Sequence, residues 1–496
     1  MTKTRDLADL GGGFIQAGTG AVQRTVESKL QDMVSVKDFG AVGNGVTDDT
    51  AAIQAAIDAA EVFVVSSTES QTTRNDSNVG IVWFPPGEYK VTSTLIINGP
   101  GVHIKGSGVT ATKINSSSDS NLFYARSDTQ TTTGILHNIA FSDMSLRGTF
   151  TNPTSGAAIA VDIAKHVYIY NIRFNGFYDD IVFRGVQEPA LVHNCNFFSN
   201  NSVTTARTGN AHIKASAIQV NSGSTNAMAG PDGGGFYYAY CVNIVVSNCE
   251  LRAASDFKEH GVFIGACDGF YLSNCHLLNH VDQVSVVRGN TVCPCANIRL
   301  NNCFFDGESP TTKRNLNIAS AQAQVGASST TDVCVYGCKF NGVGDAAGGV
   351  EAWIICDDVA ARNLIVDGCY FDKARNETSA AIELKRGDVM CVIANNQFLM
   401  EDTFVPTTVI RSNASNVADT DLFSHLIIDS NSFVCNGTAD RPDYNIRLAN
   451  AQNKTVIKNN CYYADSGVGG DNLLYDTKTS GTTFGSGTTN NNIDIS

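Results

Sequence analysis

One short phrase recurs down this chain and constrains its fold more than any other feature: HNCNF, SNCEL, SNCHL, NNCFF, YGCKF, DGCYF, ANNQF, DSNSF and KNNCY. Its turn position is Asp143, Asn171, Asn194, Asn248, Asn274, Asn302, Gly337, Gly368, Asn395, Ser430 and Asn459. Successive turns lie 23 to 35 residues apart, except for one step of 54. All but Ser430 are Asn, Gly or Asp, which tolerate a left-handed backbone. Each phrase therefore predicts a one-residue bend between two short strands.

The flanking positions agree. Two residues before each bend stand Phe141, Ile169, Val192, Val246, Leu272, Leu300, Val335, Val366, Ile393, Ile428 and Ile457. Three residues after it stand Leu146, Phe174, Phe197, Leu251, Leu277, Phe305, Phe340, Phe371, Phe398, Phe433 and Tyr462. Every one is apolar or aromatic. A period of about 28 residues fits three strands and three turns per circuit, with circuits stacked in parallel about 4.8 Å apart. The pattern predicts an all-β chain, a right-handed parallel β-helix of about eleven or more coils. A leucine-rich horseshoe would need a fixed Leu spacing, and a sandwich would need hairpin turns every 8 to 12 residues; neither is present.

The residue after each bend reads Met144, Ile172, Cys195, Cys249, Cys275, Cys303, Cys338, Cys369, Asn396, Asn431 and Asn460. This file is expected to point inward, the Cys as small core hydrophobes and the Asn as an internal amide ladder. Fifteen Cys among 496 residues are too sparse for a disulfide scaffold, which points to reduced thiols and to folding in a cytoplasm. The Cys293 and Cys295 of VCPC have no matching His or Cys pair, so no metal is expected there.

Composition then narrows the function classes. The 34 basic and 48 acidic residues leave a net charge of −14, which argues against a phosphate-tracking nucleic-acid binder. No run of about 18 apolar residues is present to insert in a membrane, and the start MTKTRDLADLGGG lacks the order of a secretory signal. Residues 34 to 60, VSVKDFGAVGNGVTDDTAAIQAAIDAA, predict a strand, a Gly-rich turn and a helix over 49–60 with Asp48 or Asp49 as N-cap. Ile53, Ala56, Ile57 and Ala60 give that helix an apolar stripe suited to plugging the open end of a β-helix. GAVGNG lacks the Lys and the glycine spacing of a phosphate loop.

VKDFGAVGNGVTDDTAAIQAAI followed by VWFPPGEYKV resembles the start of the pectate-lyase-like β-helix of bacteriophage tailspikes and capsule depolymerases. GAVQRTVESKLQDMVSVKDFGA, residues 20 to 41, is similar to the connector that joins such bodies to a virion-attachment segment. The resemblance implies a homotrimer in a phage tail. Residues 1–33 would bind tail or baseplate proteins, and residues 34–464 would bind and cut a bacterial surface polysaccharide outside the host cell. It also implies active sites between subunits. Residues 465–496, polar and without rungs in the sequence, read as a tail or small cap.

Two carboxylates are the chemistry to look for. A glycosidic bond is hydrolysed by an acid and a nucleophile or base about 5 to 5.5 Å or 6.5 to 9.5 Å apart, and stacked coils supply such spacings between outward side chains. EAWIICDDVAARN offers Glu351, Asp357 and Asp358, while AAIELKRGDVM offers Glu383 and Asp388. Glu383 stands between Ile382 and Leu384, so alternation turns it outward. Lys385, Arg386, Arg411 and Arg447 are positioned to hold acidic sugars. A second cluster, ranked behind this one, comprises Asp256, Glu259, His260, His280 and Asp282. The step of 54 implies an excursion near 199 to 236 ending in GGGFYYAY, whose Tyr237 and Tyr238 are candidates to stack on sugar rings or to latch onto the rod's flank. Three functions compete: a tailspike glycosidase without cofactor, a lyase acting on uronates, and a spike that binds glycan without cutting it.

Overall fold

The computed structural model describes residues 15–25, 29, 32–65, 80–126, 135–149, 152–199, 209–221, 227–229, 236–253, 258–288, 293, 295–307, 312, 314–320, 331–342, 352–357, 361–372, 380–386, 389–401, 408–412, 425–436, 444–448, 454–464, 472–476 and 493–495. Its architecture is a right-handed parallel β-helix. All eleven bend residues have positive φ, from 50° at Asn302 to 65° at Gly368. The strands before and after them belong to one long bent sheet. A third strand per coil joins a second, flatter sheet of thirteen parallel strands running from Leu95–Ile97 to Asn472–Asp476.

The two apolar files fall into exact register. Phe141, Ile169, Val192 and Val246 pair in succession, and the file continues without a slip to Ile457. After the bend, the rings of Phe305, Phe340, Phe371, Phe398 and Phe433 stack nearly face to face with centroids 4.6 to 5.1 Å apart. That spacing is the strand separation itself, so each of these stacked pairs adds on the order of 0.5–1.5 kcal/mol beyond its area.

The file after the bend points inward. Cys195, Cys249, Cys275, Cys303, Cys338 and Cys369 are all buried. Asn396 Nδ2 donates to Asn431 Oδ1 at 3.0 Å, and Asn431 Nδ2 to Asn460 Oδ1 at 3.0 Å. Their amides also donate to the carbonyls of Val366, Ile393 and Ile428, which closes the expected amide ladder. A second cysteine file, Cys241, Cys267 and Cys295, lies at the strand starts. Burial pushes the Cys241 thiol up to about 12 and Cys293 up to about 11, so both are protonated, inert core groups at neutral pH.

Helix α1, Thr50–Val65, packs its Ile53, Ala56, Ile57 and Ala60 stripe onto the first coil with no exposure. It begins later and runs further than 49–60. Asp48 caps it by accepting from Thr50 N at 3.1 Å. Asp49, whose carboxylate accepts from Val42 N at 2.7 Å and Gly43 N at 3.1 Å, instead holds the Gly-rich turn. The other end also differs from expectation. Asn472–Asp476 pairs with Tyr444–Leu448 and Ile493–Ile495 with Cys461–Tyr463, so rungs continue beyond residue 464.

The long step is narrower than 199 to 236. Ala211–Ser216 remains a regular rung between Asp179–Arg184 and His260–Ile264. The true insertion is a small antiparallel sheet of Ile218–Asn221, Ala227–Ala229 and Phe236–Ala239. Ala239 and Ile218 pack on Ile163, which latches the insertion to the rod. Tyr237 and Tyr238 lie on its central strand, opposite Val220 and Gln219, and their side chains are outside the description.

Candidate functional site

Most described rungs of the thirteen-stranded sheet start with an irregularity that decides what faces solvent. Two consecutive residues point inward, as with Trp353 and Ile354, Ala381 and Ile382, or Val409 and Ile410, all within the core. The residues on either side of such a pair therefore share the outer face. One outer file runs Ala211, His260, Asp282, Arg314, Ala352, Ala380 and Thr408. The other runs Val182, Lys214, Phe263, Ser285, Asn317, Ile355, Glu383 and Arg411. Polar residues concentrate in the middle coils of both.

Asp282 is the hub of that concentration. It is 1% exposed and accepts from Arg314 Nε at 2.6 Å and a second Arg314 nitrogen at 3.0 Å, from Ser285 Oγ at 3.0 Å and from Asn317 Nδ2 at 3.2 Å. His260 stands between two acids, its Nδ1 3.7 Å from Asp282 and its Nε2 3.7 Å from Glu259. Ser285 Oγ lies 3.0 Å from His260 Nδ1. Glu259 also accepts from Gly209 N, whose carbonyl takes a 2.9 Å bond from Lys214 Nζ. Lys214 lies 3.7 Å from Asp179. Burial lowers the His260 pKa below the ordinary imidazole value, helped by Lys214 and Arg314 and opposed by Asp282 and Glu259. His260 is thus a neutral imidazole at neutral pH, with Lys214 and Arg314 acting on it as cations, and its Nδ1 is bonded to Ser285 Oγ, which in turn donates to Asp282.

The higher-ranked cluster assembles only in part. Glu383 does face outward, but it is 3% exposed and accepts from Arg411 at 2.8 Å. Asp357 is half-buried and held by Arg386, which also donates to the Asp357 carbonyl at 3.1 Å. A register shift after Cys356 places Asp357 opposite Arg386 and leaves Lys385 half-buried with no opposite strand residue among those described. Arg447 pairs with Arg411 along the backbone. Glu351, Asp358, Asp388 and Asp256 lie outside the described residues.

His280 is a correction. It sits inside the rod, its ring edge-on to His212 at 5.0 Å and its Nδ1 2.8 Å from Gln283 Oε1. With it are Asp180, bonded to His212 Nδ1, and Lys258, 3.6 Å from Asp180 and bonded to the carbonyls of Phe177 and Ala211. Burial pushes the Asp180 carboxyl up to about 6 and holds both imidazoles well below their usual range. His280 takes part in this internal network and not in surface chemistry. Sequence reasoning missed Asp179, Lys214, Ser285, Arg314 and Asn317. Their only signal was register with Glu259, His260 and Asp282 across rungs.

The family described as rhamnogalacturonase A/epimerase, pectate lyase-like, matches residues 33–351. The chain belongs to that family. Among curated relatives, the tail spike protein of Shigella phage Sf6 is 39% identical over 95 residues, 18% of this chain and 12% of that protein. Mannuronan C5-epimerase AlgE1 of Azotobacter vinelandii is 44% identical over 87 residues, 16% of this chain and 5% of that one. The matches thus span a small part of either relative. Among solved structures, the tailspike of E. coli bacteriophage HK620 in complex with a hexasaccharide superposes with a TM-score of 0.58 at 14% identity, covering 99% of this chain and 84% of that one. The Streptococcus pneumoniae surface adhesin PfbA gives 0.51 at 16% identity, covering 90% and 99%. These two likenesses establish a shared fold.

Proposed function

We propose that this family member is a bacteriophage tailspike that seats an acidic bacterial surface polysaccharide along the outer face of the thirteen-stranded sheet and cleaves it at His260. The observation that carries this is the neutral, buried imidazole tied through Ser285 to Asp282, with Lys214 and Arg314 as the cations acting on it. A uronate carboxylate placed between those cations has its charge offset, which acidifies the adjacent C5–H. His260 takes that proton, the electron pair forms the C4–C5 double bond, and the C4–O4 bond breaks. The imidazolium then returns the proton to the departing O4. The names of the similar epimerases, which act at C5 of mannuronan, support attention to that carbon. The resemblance over residues 20–108 and the fold shared with phage tailspikes support the virion assignment, the homotrimer and a tail-binding role for residues 1–33.

Hydrolysis is the second reading, favoured by one observation: Asp357 and Glu383 lie on adjacent rungs of the same outer face. Digestion of host polysaccharide separates the outcomes. Elimination leaves an ultraviolet-absorbing unsaturated end and no added water. Saturated fragments one water heavier would overturn the His260 mechanism in favour of Asp357 and Glu383. Polymer bound at full length would overturn both and leave an adsorbing spike.

A further inference from the structure

A cleft of about 390 Å³ lies on a different face of the rod, at its N-terminal end, lined by Met33, Trp83, Lys105, Gly106, Ser107, Gly108 and Asp143. Trp83 and Lys105 are cross-strand neighbours on the first two coils of the bent sheet. The indole is pinned, because its Nε1 donates to Ser107 Oγ at 3.1 Å while Ser107 donates onward to the Phe84 carbonyl at 2.9 Å. It is half-buried and presents the rest of its ring to the cleft. Lys105 has no ion-pair partner among the described residues. Asp143 is already engaged, accepting from Asn171 Nδ2 at 2.6 Å and Ser142 Oγ at 2.9 Å. The floor is backbone: a Cβ on Gly106 would stand 2.2 Å from the Asp143 carbonyl, so only glycine allows this approach.

A fixed aromatic platform beside an ammonium that forms no ion pair among the described residues, in a cleft the size of a small-ligand site, is the chemistry that recognises a sugar ring carrying a carboxylate. We propose that this cleft is a second glycan-binding site for one uronate unit, which stacks on Trp83 and pairs its carboxylate with Lys105, apart from the site of bond cleavage. His260 lies four coils further along and on the other sheet, ~19 Å away along the axis at the usual strand spacing. One polymer chain or two can therefore be held at both places, which keeps a cut polysaccharide from leaving. The idea rests on the acidic-glycan reading above but not on its mechanism.

The chain has two tryptophans, and Trp353 is 2% exposed, so a ligand-dependent change in indole emission reports Trp83. We expect oligogalacturonate, but not a neutral cello-oligosaccharide, to shift wild-type emission. The shift should vanish in Trp83→Phe and need at least tenfold more ligand in Lys105→Gln, and it should survive unchanged in His260→Gln. No shift at saturating oligogalacturonate, or one that persists in Trp83→Phe, would overturn the site. An emission shift in a wild-type protein that leaves host polysaccharide at full length would keep this site standing and remove the proposed activity instead.

Discussion

Rungs in the middle of the rod and rungs toward its C-terminal end use the same backbone to opposite effect. Around His260, outer charges form one network on a hub, and the inward positions beneath them are also polar: Asp180, His212, Gln283 and Asn315. Around Glu383, outer charges form separate pairs, and the same inward positions hold Trp353, Ala381 and Val409. Burying charges in a core is expensive and seldom adds net stability. Among the described residues its presence under one part of the sheet marks where position matters more than stability, while an apolar filling suffices where a salt bridge only covers the surface.

The comparison breaks most readily at the hub. His260→Gln should reduce polysaccharide cleavage by ~10²–10⁴-fold with little change in melting temperature, as measured on purified protein. Glu383→Gln should leave cleavage within about threefold; a loss as large as that of His260→Gln would reverse the ranking of the two regions. In the core, Lys258→Met should lower unfolding free energy by about 3–5 kcal/mol in denaturant titration, since Asp180 and several carbonyls lose their cation. Val409→Ala, in the apolar counterpart, should lose roughly 1–3 kcal/mol.

Acid provides a finer test. His212, His280 and His260 have folded-state values below the unfolded imidazole, so their contribution is present above about pH 6.5 and is lost as pH falls toward their depressed values. Asp180 acts in the other direction: with its carboxyl raised to about 6, the folded state holds the extra proton and loses stability as pH rises from ~4 to 6. Together they predict a stability maximum near neutrality that flattens in His212→Phe, as followed by melting temperature against pH.

The bends and the two apolar files could be read in advance because each depends on a local property. A residue that tolerates positive φ makes the bend, and period-two alternation fills the core on both sides of it. Asn171, Gly337 and Phe371 carry that information in their own identities. The candidate site was readable only as a loose group of acids and histidines. Sequence placed Glu383 outward correctly but not its burial under Arg411, and it grouped His280 with the acids of the second cluster although the ring lies inside the rod. Asp282 and Arg314 are 32 residues apart, and their contact follows from the register of neighbouring coils.

The letters alone determined a rod of parallel coils, its capped first turn and its inward Cys and Asn files, because repeated short-range preferences add up without long-range information. Tertiary structure alone decided which polar side chains meet. The paired inward residues at each rung start break strict alternation, and coil lengths of unequal size bring His260, Asp282, Arg314 and Lys214 onto one face.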